Sequence, residues 1–152
     1  DEVLSEPKRI LEIGAGMGIT GMFLAAFGHE VTSVDSEQES LDLLKLNIAH
    51  NGLSNIHTQK LDWHEADLYE KFDVICGSEV IYRKTDIEPV ESLIRKHLKP
   101  DGTVYLAHDQ QRMNVEKFIA QLPEDLTVEE VVKTFTGKDM ARRILIQVIR
   151  FA

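Results

Sequence analysis

Leu11-Glu12-Ile13-Gly14-Ala15-Gly16-Met17-Gly18, followed by Glu30-Val31-Thr32-Ser33-Val34-Asp35, decides the fold. The first stretch is an apolar strand running into a glycine turn, and the second is a strand ending on a carboxylate. Between them Thr20 to Phe27 reads as a helix, which Gly28 is placed to stop. A doubly wound sheet holds an adenosine-bearing ligand with this order of strand, glycine turn, helix, strand and acid.

The alternation continues outward. Ser36-Glu37-Gln38-Glu39 reads as a capping box opening a helix marked by Leu41, Leu44 and Ile48 and stopped at Asn51-Gly52. Ile56 to Leu61 and Phe72 to Cys76 are strands, the latter a nearly continuous apolar run suited to a sheet covered on both faces. Thr85-Asp86-Ile87-Glu88 repeats the capping pattern before a helix with Ile87, Val90, Ile94 and Leu98 as its buried stripe. Pro100-Asp101-Gly102 reads as a turn into the strand Thr103 to Ala107, and Val115, Phe118, Ile119 and Leu122 mark a further helix. Leu126 to Val132 and Arg143 to Phe151 then follow as strands with no helix between them, which implies an antiparallel hairpin. The expected fold is α/β: a doubly wound Rossmann-like sheet, mostly parallel, with an antiparallel C-terminal hairpin strand and helices on both faces, in a single domain over residues 1–152.

The glycines choose the ligand. A dinucleotide turn needs its third glycine at the sixth position, where this chain has Ile19. Glu12, just before the turn, would repel a pyrophosphate but suits a cofactor whose inner end carries an ammonium and a sulfonium. S-adenosylmethionine is such a cofactor. The segment resembles motif I of the class I methyltransferases, acid-x-Gly-x-Gly-x-Gly, and Asp35 resembles that family's acid for the two ribose hydroxyls. A degenerate nicotinamide-binding turn is the alternative.

The bulk composition bounds the partners. The 152 residues carry 26 acidic and 17 basic side chains, for a formal net charge of −9, which opposes a broad grip on nucleic acid phosphates. A cationic acceptor, such as a lysine or arginine side chain, suits that field better. The single cysteine, Cys76, lies in an apolar run and reads as core packing. No apolar stretch is long enough to span a membrane and no signal-peptide pattern opens the chain, so a cytoplasmic location is expected. The first strand begins so early that N-terminal elements covering the substrate are expected to be missing. His29, His50, His57 and His97 fall at turns or helix ends, which predicts solvated or capping roles; His64 and His108 fall nearer the expected site. No metal-ligand spacing is present.

Ligands of such sheets sit beyond the carboxyl ends of the strands. There Glu12, Gly14, Ala15, Gly16, Gly18, Asp35, Ser36, Asp62, Trp63 and Ser78 converge as candidate cofactor contacts, with the segment His108 to Arg112 nearby. Gly77-Ser78-Glu79-Val80-Ile81-Tyr82, together with Leu61-Asp62-Trp63 and Leu98-Lys99-Pro100-Asp101-Gly102, looks like the family 16 branch, which includes many protein lysine methyltransferases. Those enzymes carry Asp-x-x-Tyr or a relative where this chain has Glu79-x-x-Tyr82. The resemblance implies Asp62 as acceptor for the adenine amino group, Glu79 and Tyr82 as catalytic residues, and N-methylation of a protein lysine. Small-molecule or arginine N-methylation, or a cofactor-binding pseudoenzyme, are the rival readings.

Overall fold

In a computed structural model, the chain is described over residues 6–65, 68–110, 113–136 and 141–152. Arg112, at the end of one predicted site segment, lies outside the described residues. The elements run β1 (Arg9–Ile13), α1 (Ile19–Ala26), β2 (Glu30–Asp35), α2 (Gln38–His50), β3 (Ile56–Lys60), β4 (Phe72–Ser78), α3 (Ile87–His97), β5 (Leu98–Asp109), α4 (Met113–Gln121), β6 (Leu126–Thr136) and β7 (Ala141–Phe151). They build one seven-stranded sheet in the order β3-β2-β1-β4-β5-β7-β6. Pairing is parallel from β3 to β5, and β7 inserts antiparallel between β5 and β6. The fold expected from the sequence is therefore present, including the hairpin.

Strand parity divides the core. Leu11 and Ile13 face one side of β1 with Ile75, Val90, Ile94, Val104 and Phe118, under α3 and α4. Ile10 faces the other, with Leu24, Val31, Val74 and Cys76, under α1 and α2. Cys76 is buried there, as expected, and burial pushes its thiol well above the ordinary range.

Several local expectations are corrected. Neither Ser36 nor Thr85 caps a helix. Ahead of α2 the Asp35 carboxylate accepts the Glu37 amide at 2.9 Å, and ahead of α3 Asp86 Oδ2 accepts the Arg83 amide at 2.7 Å. Lys99 to Gly102 form not a turn between elements but an interruption inside β5: Phe72 pairs with Leu98 and Val74 with Thr103, so the four intervening residues face Asp73 alone. His29 and His97 are buried rather than solvated; His29 Nδ1 accepts the Lys8 amide at 3.2 Å, and His97 Nδ1 lies 3.1 Å from the Glu70 carbonyl.

Sequence neighbours β1 and β2 leave the middle of the sheet in one direction and β4 in the other, so strand order reverses at β1. A crevice at the carboxyl ends of the strands follows from that reversal.

Candidate active site

A cleft of about 760 Å³ opens above this switch point, lined by Gly14 after β1, Asp35 at the end of β2 and Ser36 after it, Asp62 and Trp63 after β3, and Ser78 at the end of β4 with Glu79 and Tyr82 after it. Eight predicted site residues, from the ends of four strands and the loops that follow, thus share one cavity. Lys60, His64, Arg83 and Asp86 join them.

Asp35 holds the glycine turn from the side. One carboxylate oxygen accepts the Gly16 amide at 2.8 Å and the other the Glu37 amide, so the end of β2 is fastened both to the turn and to the start of α2. The turn itself closes through Gly18 N–H to the Ala15 carbonyl at 2.8 Å. Gly14, at φ +64°, adopts a left-handed backbone, and a β-carbon there would stand 3.0 Å from Val80 and 3.8 Å from the Trp63 ring. Its missing side chain keeps the floor of the cleft open.

The other turn residues have different work. Gly18 is buried, and a β-carbon would run into Leu44 of α2, so this glycine permits helix packing. Ala15, Gly16 and Gly18 do not line the cleft, and neither does Glu12. Glu12 is 4% exposed on the α1 side of β1, where its two oxygens take the Gly21 amide at 3.0 Å and the Ser33 hydroxyl at 2.6 Å. Burial raises its carboxyl above the usual range, partly offset by those two hydrogen bonds. It braces the turn from beneath.

Beyond β3, Asp62 Oδ1 accepts both the backbone amide and the imidazole Nδ1 of His64, at 2.9 and 2.8 Å. The turn so formed starts the short 3₁₀ segment Trp63–Glu65. Those bonds hold the Asp62 carboxyl below the usual carboxylate range. Its second oxygen has no hydrogen bond among the described residues.

The loop after β4 carries the one non-glycine residue of positive φ among the described residues, Glu79 at 57°. Its amide donates to the Ala107 carbonyl at 2.8 Å, and its carboxylate accepts the Asp109 amide at 2.6 Å. Two bonds to β5 thus hold a backbone conformation that costs about 1–2 kcal/mol. Tyr82 is exposed at the rim, and its carbonyl accepts Asn114 Nδ2 at 2.7 Å, which ties this loop to α4. Behind it His108 is buried, its Nε2 without a partner among the described residues, and desolvation lowers its pKa.

Residues 2–125 match the family described as "Lysine methyltransferase". The chain belongs to that family. It is 31% identical over 140 residues to the histidine protein methyltransferase 1 homolog of Dictyostelium discoideum, covering 88% of this chain and 45% of that protein. It is 30% identical over 132 residues to protein N-lysine methyltransferase METTL21A of Danio rerio, covering 82% and 60%. The ubiquinone biosynthesis O-methyltransferase of Bartonella tribocorum is 33% identical over 99 residues, 65% of this chain and 40% of that one. The chain spans roughly half the length of these relatives. Among solved structures, N-methyltransferase NodS of Bradyrhizobium japonicum superposes with a TM-score of 0.78 at 23% identity, covering 97% of this chain and 88% of that one. A TehB-like SAM-dependent methyltransferase of Corynebacterium glutamicum reaches 0.78 at 19%, covering 99% and 84%. These two confirm the fold.

S-adenosylmethionine is the cofactor that membership of this methyltransferase family implies. The donor set fits it: a glycine floor without a side chain, one carboxylate at the end of β2 and another after β3, and an indole beside the floor. No helix among the described residues is long and apolar enough to cross a membrane.

Proposed function

We propose that the chain N-methylates a protein lysine side chain. The observation that carries this reading is the placement of Glu79 and Tyr82 on the same cleft as Asp35 and Asp62, so that acceptor and cofactor groups would meet over Gly14 and Ser78. Asp35 is suited to the ribose hydroxyls, because each of its oxygens keeps acceptor capacity beyond its one backbone bond. The second oxygen of Asp62 is suited to the adenine amino group and Trp63 to the ring plane.

When bound, S-adenosylmethionine supplies an electrophilic methyl group on a sulfonium. The chain must then present a neutral amine, aligned about 3 Å from that carbon. A lysine starts protonated, with a pKa near 10.4. The fixed carboxylate of Glu79 attracts the ammonium and directs the amine lone pair once the proton has left to solvent, while exposed Tyr82 offers a cation its π-face and the amine its hydroxyl as an orienting partner. Histidine is the second reading, favoured by the similarity to the histidine protein methyltransferase 1 homolog, since a carboxylate also orients an imidazole through its N–H.

Methyl-labelled cofactor incubated with the protein and a cell lysate, followed by digestion and mass spectrometry of the labelled species, tests both. Label on lysine side-chain nitrogen supports the first reading, and label on imidazole replaces it with the second. Label confined to small molecules overturns both.

A further inference from the structure

His64 joins two parts of the cleft that no strand pairing connects. Its Nδ1 lies 2.8 Å from Asp62 Oδ1 and its Nε2 lies 3.7 Å from Asp86 Oδ1. The backbone of Thr85 also bonds the imidazole. Asp62 follows β3, whereas Asp86 is buried at the start of α3 and accepts the Arg83 amide just past the Glu79–Tyr82 loop. One side chain therefore spans the adenine side and the root of the acceptor side.

We infer that His64 is a positioning residue for the cofactor, its imidazolium clasping Asp62 to Asp86 so that the Asp62 carboxylate is fixed for the adenine edge. The inference rests on the cofactor placement proposed above. Only the imidazolium satisfies both carboxylates: a neutral ring donates from one nitrogen and turns a lone pair on the other toward a carboxylate. Around it the charges favour the proton. Asp35, Glu37 and Glu79 share the cleft with Lys60, Arg83 and Tyr82, while Glu65, Glu88 and Lys96 line a second pocket that His64 also borders. Carboxylates outnumber cations, and the bond to Asp62 holds His64 above the ordinary histidine range.

The test is calorimetry of S-adenosylhomocysteine against the parent, His64→Ala and His64→Asn from pH 5.5 to 8.5, with the His64 ring followed by NMR in the free and bound protein. Clasping by the imidazolium makes the parent's affinity fall about three- to tenfold as pH rises through the His64 titration. By linkage, the ligand raises the His64 midpoint by the logarithm of that factor, about one pH unit for a tenfold change. His64→Ala loses affinity at pH 6 and shows a flatter profile. His64→Asn, whose amide reproduces the Nδ1 donor without titrating, recovers affinity with the same flat profile. Normal binding by His64→Ala with the parent's pH profile, or an unmoved His64 midpoint, overturns the inference while leaving the cofactor site standing. No binding to the parent at any pH removes the cofactor placement and the clasp together.

Discussion

Glu79 accepts the backbone amide of Asp109 at 2.6 Å, so a carboxylate at the acceptor side of the cleft also fastens the loop after β4 to the end of β5. Glu79→Gln retains an oxygen for that amide and removes the charge. S-adenosylhomocysteine affinity should stay within about twofold of the parent, with turnover down by roughly 10²–10⁴, the range of a positioned acid-base group. Tyr82→Phe should separate the two readouts in the same way. Equal turnover by both variants would leave this loop a structural one only.

Asp35 serves two amides as well as the proposed ribose. Asp35→Ala should weaken S-adenosylhomocysteine binding about tenfold or more, since each charge-assisted bond contributes roughly 1.5–3 kcal/mol. Because Gly16 and Glu37 lose their acceptor too, the melting temperature should also drop; Asp35→Asn, which keeps an acceptor oxygen, should melt closer to the parent. An unchanged dissociation constant in both would return Asp35 to a helix-start role.

Cofactor class can be read in a single competition. Calorimetry should show S-adenosylhomocysteine binding well ahead of NAD, because the turn has Ile19 at the sixth position and the cleft is rich in carboxylates that oppose a pyrophosphate. Tighter NAD binding contradicts the assignment.

The burial of Glu12 sets a pH dependence of stability. Its folded pKa is raised, so its contribution is fully present below the unfolded value, about 4.3, and is lost as pH climbs through the higher folded value. Glu12→Gln cannot titrate yet can still meet Gly21 and Ser33. Its melting temperature relative to the parent should therefore rise as pH climbs from the unfolded value through the raised folded value, and level off above it. A difference independent of pH would show that the carboxyl titrates as it does in the unfolded chain.

Two turn glycines share a left-handed backbone and differ in surroundings. Around Gly16 a β-carbon meets nothing within 4 Å, whereas at Gly18 it collides with Leu44. Gly16→Ala should cost about 1–2 kcal/mol and Gly18→Ala about 2–4 kcal/mol, measured by denaturant unfolding. Equal losses would assign the whole effect to backbone strain.

Asp35, Asp62 and Glu79 were legible because each follows a strand, and chain order alone puts those ends at one edge of a parallel sheet. The face of Glu12 was harder to read: Ile10, Leu11 and Ile13 are apolar on both sides of β1, which hides the parity that turns Glu12 toward α1. The serine and threonine do not cap because neighbouring aspartates organise each turn through other amides, Asp35 taking that of Glu37 and Asp86 that of Arg83. β6 extends past Val132 to Thr136 through exposed residues, held by pairing with β7 rather than by burial, so hydrophobic alternation could not mark its end. His64 was placed near the site by its position after a strand, but its approach to Asp86, 22 residues further along the chain, left no mark in the sequence.

Trp63 is the chain's single tryptophan, and it stands over the floor of the cleft next to Gly14. All indole fluorescence therefore comes from one place, the wall against which the cofactor's base is proposed to lie. Excitation near 295 nm, which spares the three tyrosines, reports on that wall alone. The native protein thus carries its own optical probe: quenching or a spectral shift would follow ligand arrival in a stopped-flow instrument, with no dye attached and no residue replaced.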